Sequence, residues 1–119
     1  MTLQECYSLL GGNYEDALSR LMNERLVQKF LIRFIDDPTM DSLLLAVETH
    51  DIEKSFVSAH TLKGVAANLA LSSLQKRASE LTEQLRNRMN EADPTLLNNL
   101  MEVYSKNIET IKQYMQSIE

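Results

Sequence analysis

Glycine and proline are scarce in this chain, three and two residues out of 119. That leaves little material for the many tight turns of an all-β fold. Cysteine occurs once, at Cys6, so an internal disulfide and a CxxC pair are both excluded, and a reducing cytoplasm fits best. Positive charge is in deficit, with 12 Lys and Arg against 17 Asp and Glu. A general affinity for nucleic acid or anionic lipid is therefore not expected. The longest apolar runs, such as Leu43–Val47, fall far short of a membrane span. Glu5 stands where a signal peptide would carry basic groups, and neither end bears a lipidation motif. With no repeat, linker or low-complexity segment, the chain reads as a free-standing soluble protein.

What is present points to helices. Apolar residues make up 44% and charged residues 24%, ordinary proportions for one globular domain with a single core over 1–119. Thr2-x-x-Glu5 is a capping box opening a short helix that Gly11-Gly12 ends. Asn13 caps a second, Tyr14–Met22, and Asn23 a third, Glu24–Asp36. In the third, Leu26, Val27, Phe30, Leu31, Phe34 and Ile35 form one apolar stripe. Asp37-Pro38 stops it, and a short helix over Thr39–Thr49 buries Leu43, Leu44 and Val47. Asp51 caps a helix over Ile52–Ala70. Ser72-x-x-Gln75 is a capping box for the next, through Met89, with Leu74, Ala78, Leu81 and Leu85 as its seam. Asp93-Pro94 starts the last helix, with Leu97, Leu100, Tyr104, Ile108, Ile111, Met115 and Ile118 at spacings of three and four. The expected fold is all-α: an antiparallel four-helix bundle over about 23–119, preceded by short helices over about 1–22 that act as a lid.

The helix over Ile52–Ala70 has two unlike faces. At about 100° per residue, Glu53, Phe56, Val57, Lys63, Gly64 and Ala67 fall within about 60° of His60. Ser58, Ala59, Leu62, Val65, Ala66 and Leu69 fall on the opposite, core side. His60 is thus expected to face solvent in mid-helix. Gly64 costs a helix interior about 1 kcal/mol relative to alanine, yet it stands one turn from that histidine. Removing side-chain bulk there lets another protein or a phosphoryl group come close, and Phe56 and Val57 would add an apolar docking patch.

The segment AHTLKGVAANL, with His60-x-x-Lys63-Gly64 at its head, resembles the phosphoacceptor segment of histidine phosphotransfer (HPt) domains. The resemblance is close over that helix and looser over the four-helix plan of residues 24–118. It implies that His60 takes a phosphoryl group from the aspartyl phosphate of a response-regulator receiver domain and passes it on. Lys63 would sit by the phosphoryl oxygens and Gly64 would allow approach. The implied partners are receiver domains, a hybrid histidine kinase, or both. The receiver would supply the acidic pocket and the metal, so the chain is expected to be a carrier without a cofactor rather than an enzyme. An exposed imidazole is largely unprotonated near neutral pH, as a nucleophile must be. The chain departs from the family pattern at Ala70, where glycine is usual, so a differently shaped turn into Leu71 is expected. It departs again at Thr82, where many relatives, notably the phosphotransfer domains of chemotaxis kinases, carry a glutamate that holds the histidine ring. Thr82 is expected to accept a similar but weaker hydrogen bond.

The alternative is a module of the same fold that docks a receiver or kinase without phosphotransfer, through Phe56, Val57 and Ala67. Elsewhere the residues suggest structural roles. His50, at a helix end beside Asp51, suits the helix dipole. No Cys/His cluster suggests a metal site, and no Ser/His/Asp or Cys/His catalytic set can be assembled. Glu80, Glu83, Glu91, Glu102 and Glu109 read as solvated. A monomer is the simplest state for an exposed docking face.

Overall fold

The computed structural model describes residues 1–119. In order come α1 (Leu3–Leu10), α2 (Tyr14–Leu21), α3 (Glu24–Arg33), α4 (Thr39–Glu48), α5 (Ile52–Asn68), α6 (Ser72–Leu85) and α7 (Pro94–Ile118), with no strand. The fold is an antiparallel four-helix bundle in which α4, α5, α6 and α7 pack in succession, with additional short helices at the N-terminus. Helix α3, which the expected bundle over about 23–119 took in, lies with α1 and α2 outside these four. Helices α1 and α3 lie on α7, and α2 lies against α3 and α5. No helix is long and apolar enough to cross a membrane.

Local chemistry starts the helices where expected. The Thr2 and Glu5 side chains form the reciprocal capping box, and Asn13, Asn23 and Asp51 each accept from a first-turn amide. Asp93 accepts from Thr95 and Leu96, with Pro94 at the first helical position. The exception is α6. Ser72 is its first helical residue rather than its cap, Leu71 occupies the cap position, and no side chain caps it. The Ser73 hydroxyl and amide both donate to the Gly11 carbonyl, each at 3.1 Å, which ties this helix start to α1.

The two turns flanking α5 share one construction. His50 and Ala70 have φ of 59° and 53°. Behind Ala70, the Leu71 amide donates to Ala66 at 2.9 Å and the Ala70 amide to Ala67 at 3.0 Å. Around His50, the Asp51 amide donates to Ala46 at 2.9 Å and the His50 amide to Val47 at 3.1 Å. Both are Schellman turns, which usually place glycine at the left-handed position. The differently shaped turn expected at Ala70 is thus corrected: the turn keeps its form, and alanine bears a left-handed strain of roughly 1–2 kcal/mol.

The N-terminal helices do more than cover the bundle. Leu3, Cys6, Tyr7 and Leu10 are all buried in the same core as Leu31, Leu62, Leu74, Leu100 and Ile111. Burial of a large apolar side chain of this kind contributes about 1.5–3 kcal/mol. The Asn13 amide donates to the Ala70 carbonyl at 2.9 Å. A side chain at Gly12 would lie 2.8 Å from that carbonyl oxygen and 2.9 Å from the Tyr7 ring, so glycine permits the approach.

Four expectations from periodicity are corrected. The third helix turns 3-10 over Phe34–Asp36 before Pro38. Phe30, placed on its buried stripe, is exposed and flanked by the cations of Lys29 and Arg33 at 5.9 and 5.8 Å from its ring centroid. α6 ends at Leu85 rather than Met89. The Asn87 side chain accepts from the Met89 amide at 3.0 Å and Arg88 turns to φ 56°, so a local side-chain bond outcompetes the helix. Ile118 is exposed in the last turn of α7, whereas Asn107 and Tyr114 are buried. Their partners are remote: Asn107 donates to the Leu10 carbonyl at 3.3 Å and Tyr114 to Gln28 Oε1 at 3.0 Å.

Candidate functional site

The rotation of α5 is set by its buried face. Ala59, Leu62 and Ala66 are fully buried, which turns His60 outward onto exposed surface in the middle of the helix. One turn on, Lys63 is half-buried and Gly64 exposed; two turns on, Ala67 is half-buried; and Val57, one turn back, is half exposed. A Cβ added at Gly64 would meet nothing within 4 Å. No packing inside this chain requires glycine there. His60, Lys63, Gly64, Ala67 and Val57 therefore share one face, as the wheel places them.

Two of the expected site residues are buried. Phe56 is buried rather than part of an open docking patch, at 9% exposure. It is covered because the His60 ring stacks on it, with centroids 5.9 Å apart and planes 8° from parallel, and because the Arg88 guanidinium carbon stands 3.5 Å from its centroid. The exposed apolar surface on this side is instead Val57 with Leu45, along a shallow groove of about 410 Å³ between α4 and α5. Thr82 is fully buried on α6 and its hydroxyl donates to the Ala78 carbonyl at 2.7 Å. The expected hydrogen bond from the His60 ring to Thr82 is not formed: only His50, of the two histidines, is hydrogen-bonded.

The charges around this face differ from the purely solvated reading. Glu83, read as merely solvated, accepts from Arg86 at 3.0 and 2.7 Å. Those hydrogen bonds lower its carboxyl from the ordinary glutamate value against an opposing desolvation, aided by the charges of Arg86 and Lys63. The positive charge of Lys63 on α5 thus reaches this carboxylate on α6. The spacing of three between Glu83 and Arg86 was the available signal. Arg88 had none: its place over Phe56 depends on the loop between α6 and α7. That loop is held by Glu53, which accepts from Arg88 at 3.0 Å, and by Gln84, whose side chain bonds Glu91 and Asp93. His50 pairs with Glu91 across the same end of the molecule, where a purely dipolar role was expected.

The site is an open surface. An apolar groove of about 350 Å³ lined by Leu21, Phe30, Phe34, Val65 and Leu69 does not include His60. No group of three His, Cys, Asp or Glu side chains is placed to hold a metal ion. Chemically, the arrangement offers an accessible imidazole with a cation one turn away and unobstructed space beside both. Comparison with known families finds that the model of the Hpt domain matches residues 25–119. No curated protein and no solved structure matches the chain.

Proposed function

This chain belongs to the Hpt domain family, whose role is histidine phosphotransfer in phosphorelays, and we propose that it acts there as a phosphocarrier on His60. The observation that carries this reading is an exposed mid-helix imidazole with Lys63 one turn away and open space at Gly64. A ring nitrogen attacks the phosphorus of a receiver's aspartyl phosphate with its lone pair. The P–N bond forms as the P–O bond breaks, and the carboxylate leaves with the bonding electrons. The proton on the other ring nitrogen stays, so the ring becomes cationic beside the phosphoryl dianion. Reversal onto a second receiver's aspartate completes the relay. Lys63 contributes a compact positive charge for the phosphoryl oxygens, and Gly64, with Ala67, admits the receiver. Val57 is the apolar contact at the rim.

In this reading the acidic pocket and metal belong to the receiver, and the chain is no enzyme in its own right. It works as one unit over 1–119, as a monomer in the cytoplasm, with receivers and a hybrid kinase as partners. The test is phosphoryl transfer from a labelled, phosphorylated receiver, run beside His60→Gln. Acid-labile, alkali-stable label in the wild type alone is the expected result, with Lys63→Ala slower. Receiver binding with no label transfer would reassign the chain to a docking module.

A further inference from the structure

A nucleophilic imidazole works only if its lone pair points along the line of attack, and something must hold the ring. A hydrogen bond to the second nitrogen is one way, but His60 makes none, and the nearest expected acceptor, Thr82, gives its hydroxyl to Ala78. What the ring has instead is Phe56, one turn back on the same face, with planes 8° from parallel and centroids 5.9 Å apart, an offset stack. Phe56 is itself packed on its other sides. It is buried, and the Arg88 guanidinium lies on its ring at 3.5 Å, with Arg86 further out at 5.7 Å. Glu53 in turn holds Arg88 at 3.0 Å. The series Glu53, Arg88, Phe56, His60 therefore runs from a surface ion pair through a cation–π contact to the imidazole.

We propose that Phe56 is a positioning residue for phosphoryl transfer: backed by Arg88, it fixes the plane of the His60 ring in place of a hydrogen bond. This rests on the phosphocarrier reading. Stacking restrains rotation about the outer side-chain torsion through a face of the ring, whereas the attacking lone pair lies in the ring plane. Arg88 also brings a positive charge toward the site, partly offset by Glu53.

The experiment uses phosphoramidate as donor, which needs no docked receiver: the ring nitrogen forms its bond to phosphorus as the P–N bond of the donor breaks, and ammonia leaves with the electron pair. Initial rates are measured for the wild type, Phe56→Leu, Phe56→Tyr and Arg88→Ala at a temperature where circular dichroism shows each folded. We expect Phe56→Leu to slow transfer about tenfold or more, since small misplacements of reacting groups carry large rate penalties. Arg88→Ala should slow it by a smaller factor, and Phe56→Tyr should restore it to within about twofold, the ring being what matters. Proton NMR should show the His60 ring signals shifted by the stacked ring in the wild type and relaxed toward random-coil positions in Phe56→Leu. Wild-type rates in Phe56→Leu, with the His60 ring signals staying at their wild-type positions, would overturn the proposal. Arg88→Ala, an exposed loop change, decides the matter by the same readouts if Phe56→Leu fails to fold. A wild type that takes no label from phosphoramidate or any receiver would instead overturn the carrier reading itself.

Discussion

The Tyr7 hydroxyl donates to the Leu69 carbonyl at 2.8 Å in the buried interior, joining α1 to the last turn of the helix that carries His60. Tyr7 lies outside the residues that match the family, yet it closes the C-terminus of α5. Tyr7→Phe leaves that carbonyl without its partner and should destabilise the fold by about 1–3 kcal/mol. Urea denaturation measures this, and an unchanged midpoint would mean that the contact contributes nothing.

Ala70 holds a left-handed conformation that glycine adopts without strain. Ala70→Gly should therefore raise stability by about 1 kcal/mol, the relief of strain being partly offset by greater freedom of the unfolded chain. A lower melting temperature in this variant would contradict the strain assigned to the turn.

Gly64 is exposed, and a Cβ there touches nothing. Gly64→Ala should stabilise the bundle by about 1 kcal/mol through helix propensity alone. Gly64→Leu should also fold, and should accept phosphoryl from phosphoramidate while losing transfer from a receiver. If Gly64→Leu exchanges with receivers at the wild-type rate, the docking face lies elsewhere.

Thr82 is buried and hydrogen-bonded within its own helix. Thr82→Val removes only that local bond, so phosphotransfer should stay within about twofold of wild type and stability within about 1 kcal/mol. A large loss of transfer with the fold intact would restore Thr82 to the site.

Burial pushes the Cys6 thiol up to about 11 and raises the Tyr7 phenol as well. The folded state therefore holds these protons more tightly than the unfolded chain. The stability this confers is complete below the ordinary thiol value of about 8.5 and is lost as pH rises toward about 11. Denaturation midpoints should fall across that alkaline window, and Cys6 should resist alkylation at neutral pH until the protein unfolds. A flat alkaline profile, or rapid alkylation of the native protein, would contradict the burial of α1.

Patterns with short physical range were readable in advance. The capping residues Thr2, Asn13, Asn23, Asp51 and Asp93 act on amides two or three positions away, so composition alone could locate those starts. The seam of α6 and the outward turn of His60 followed from the period of 3.6, because burial of Ala59, Leu62 and Ala66 leaves one orientation for the rest of the helix. What failed were inferences that treated a helix as isolated. Ser72 looked like a cap, but its neighbour Ser73 is committed to Gly11. Phe30 and Ile118 fit an apolar stripe, but no neighbouring helix covers them.

The amino-acid sequence by itself determined the helical class, the bundle, the exposed face of α5 and the family to which His60-x-x-Lys63-Gly64 points, since each depends on local propensity, periodicity or a contiguous motif. Only the tertiary structure decided what surrounds the imidazole. Phe56 was legible as a neighbour of His60 but not as the buried partner of Arg88, and Glu83 was legible as a charge but not as the carboxylate whose proton affinity the charge of Lys63 lowers. Those relationships join α5 to α6 and to the loop that follows it, and their distances are set by how the helices pack and where α6 ends. No period along one helix encodes them.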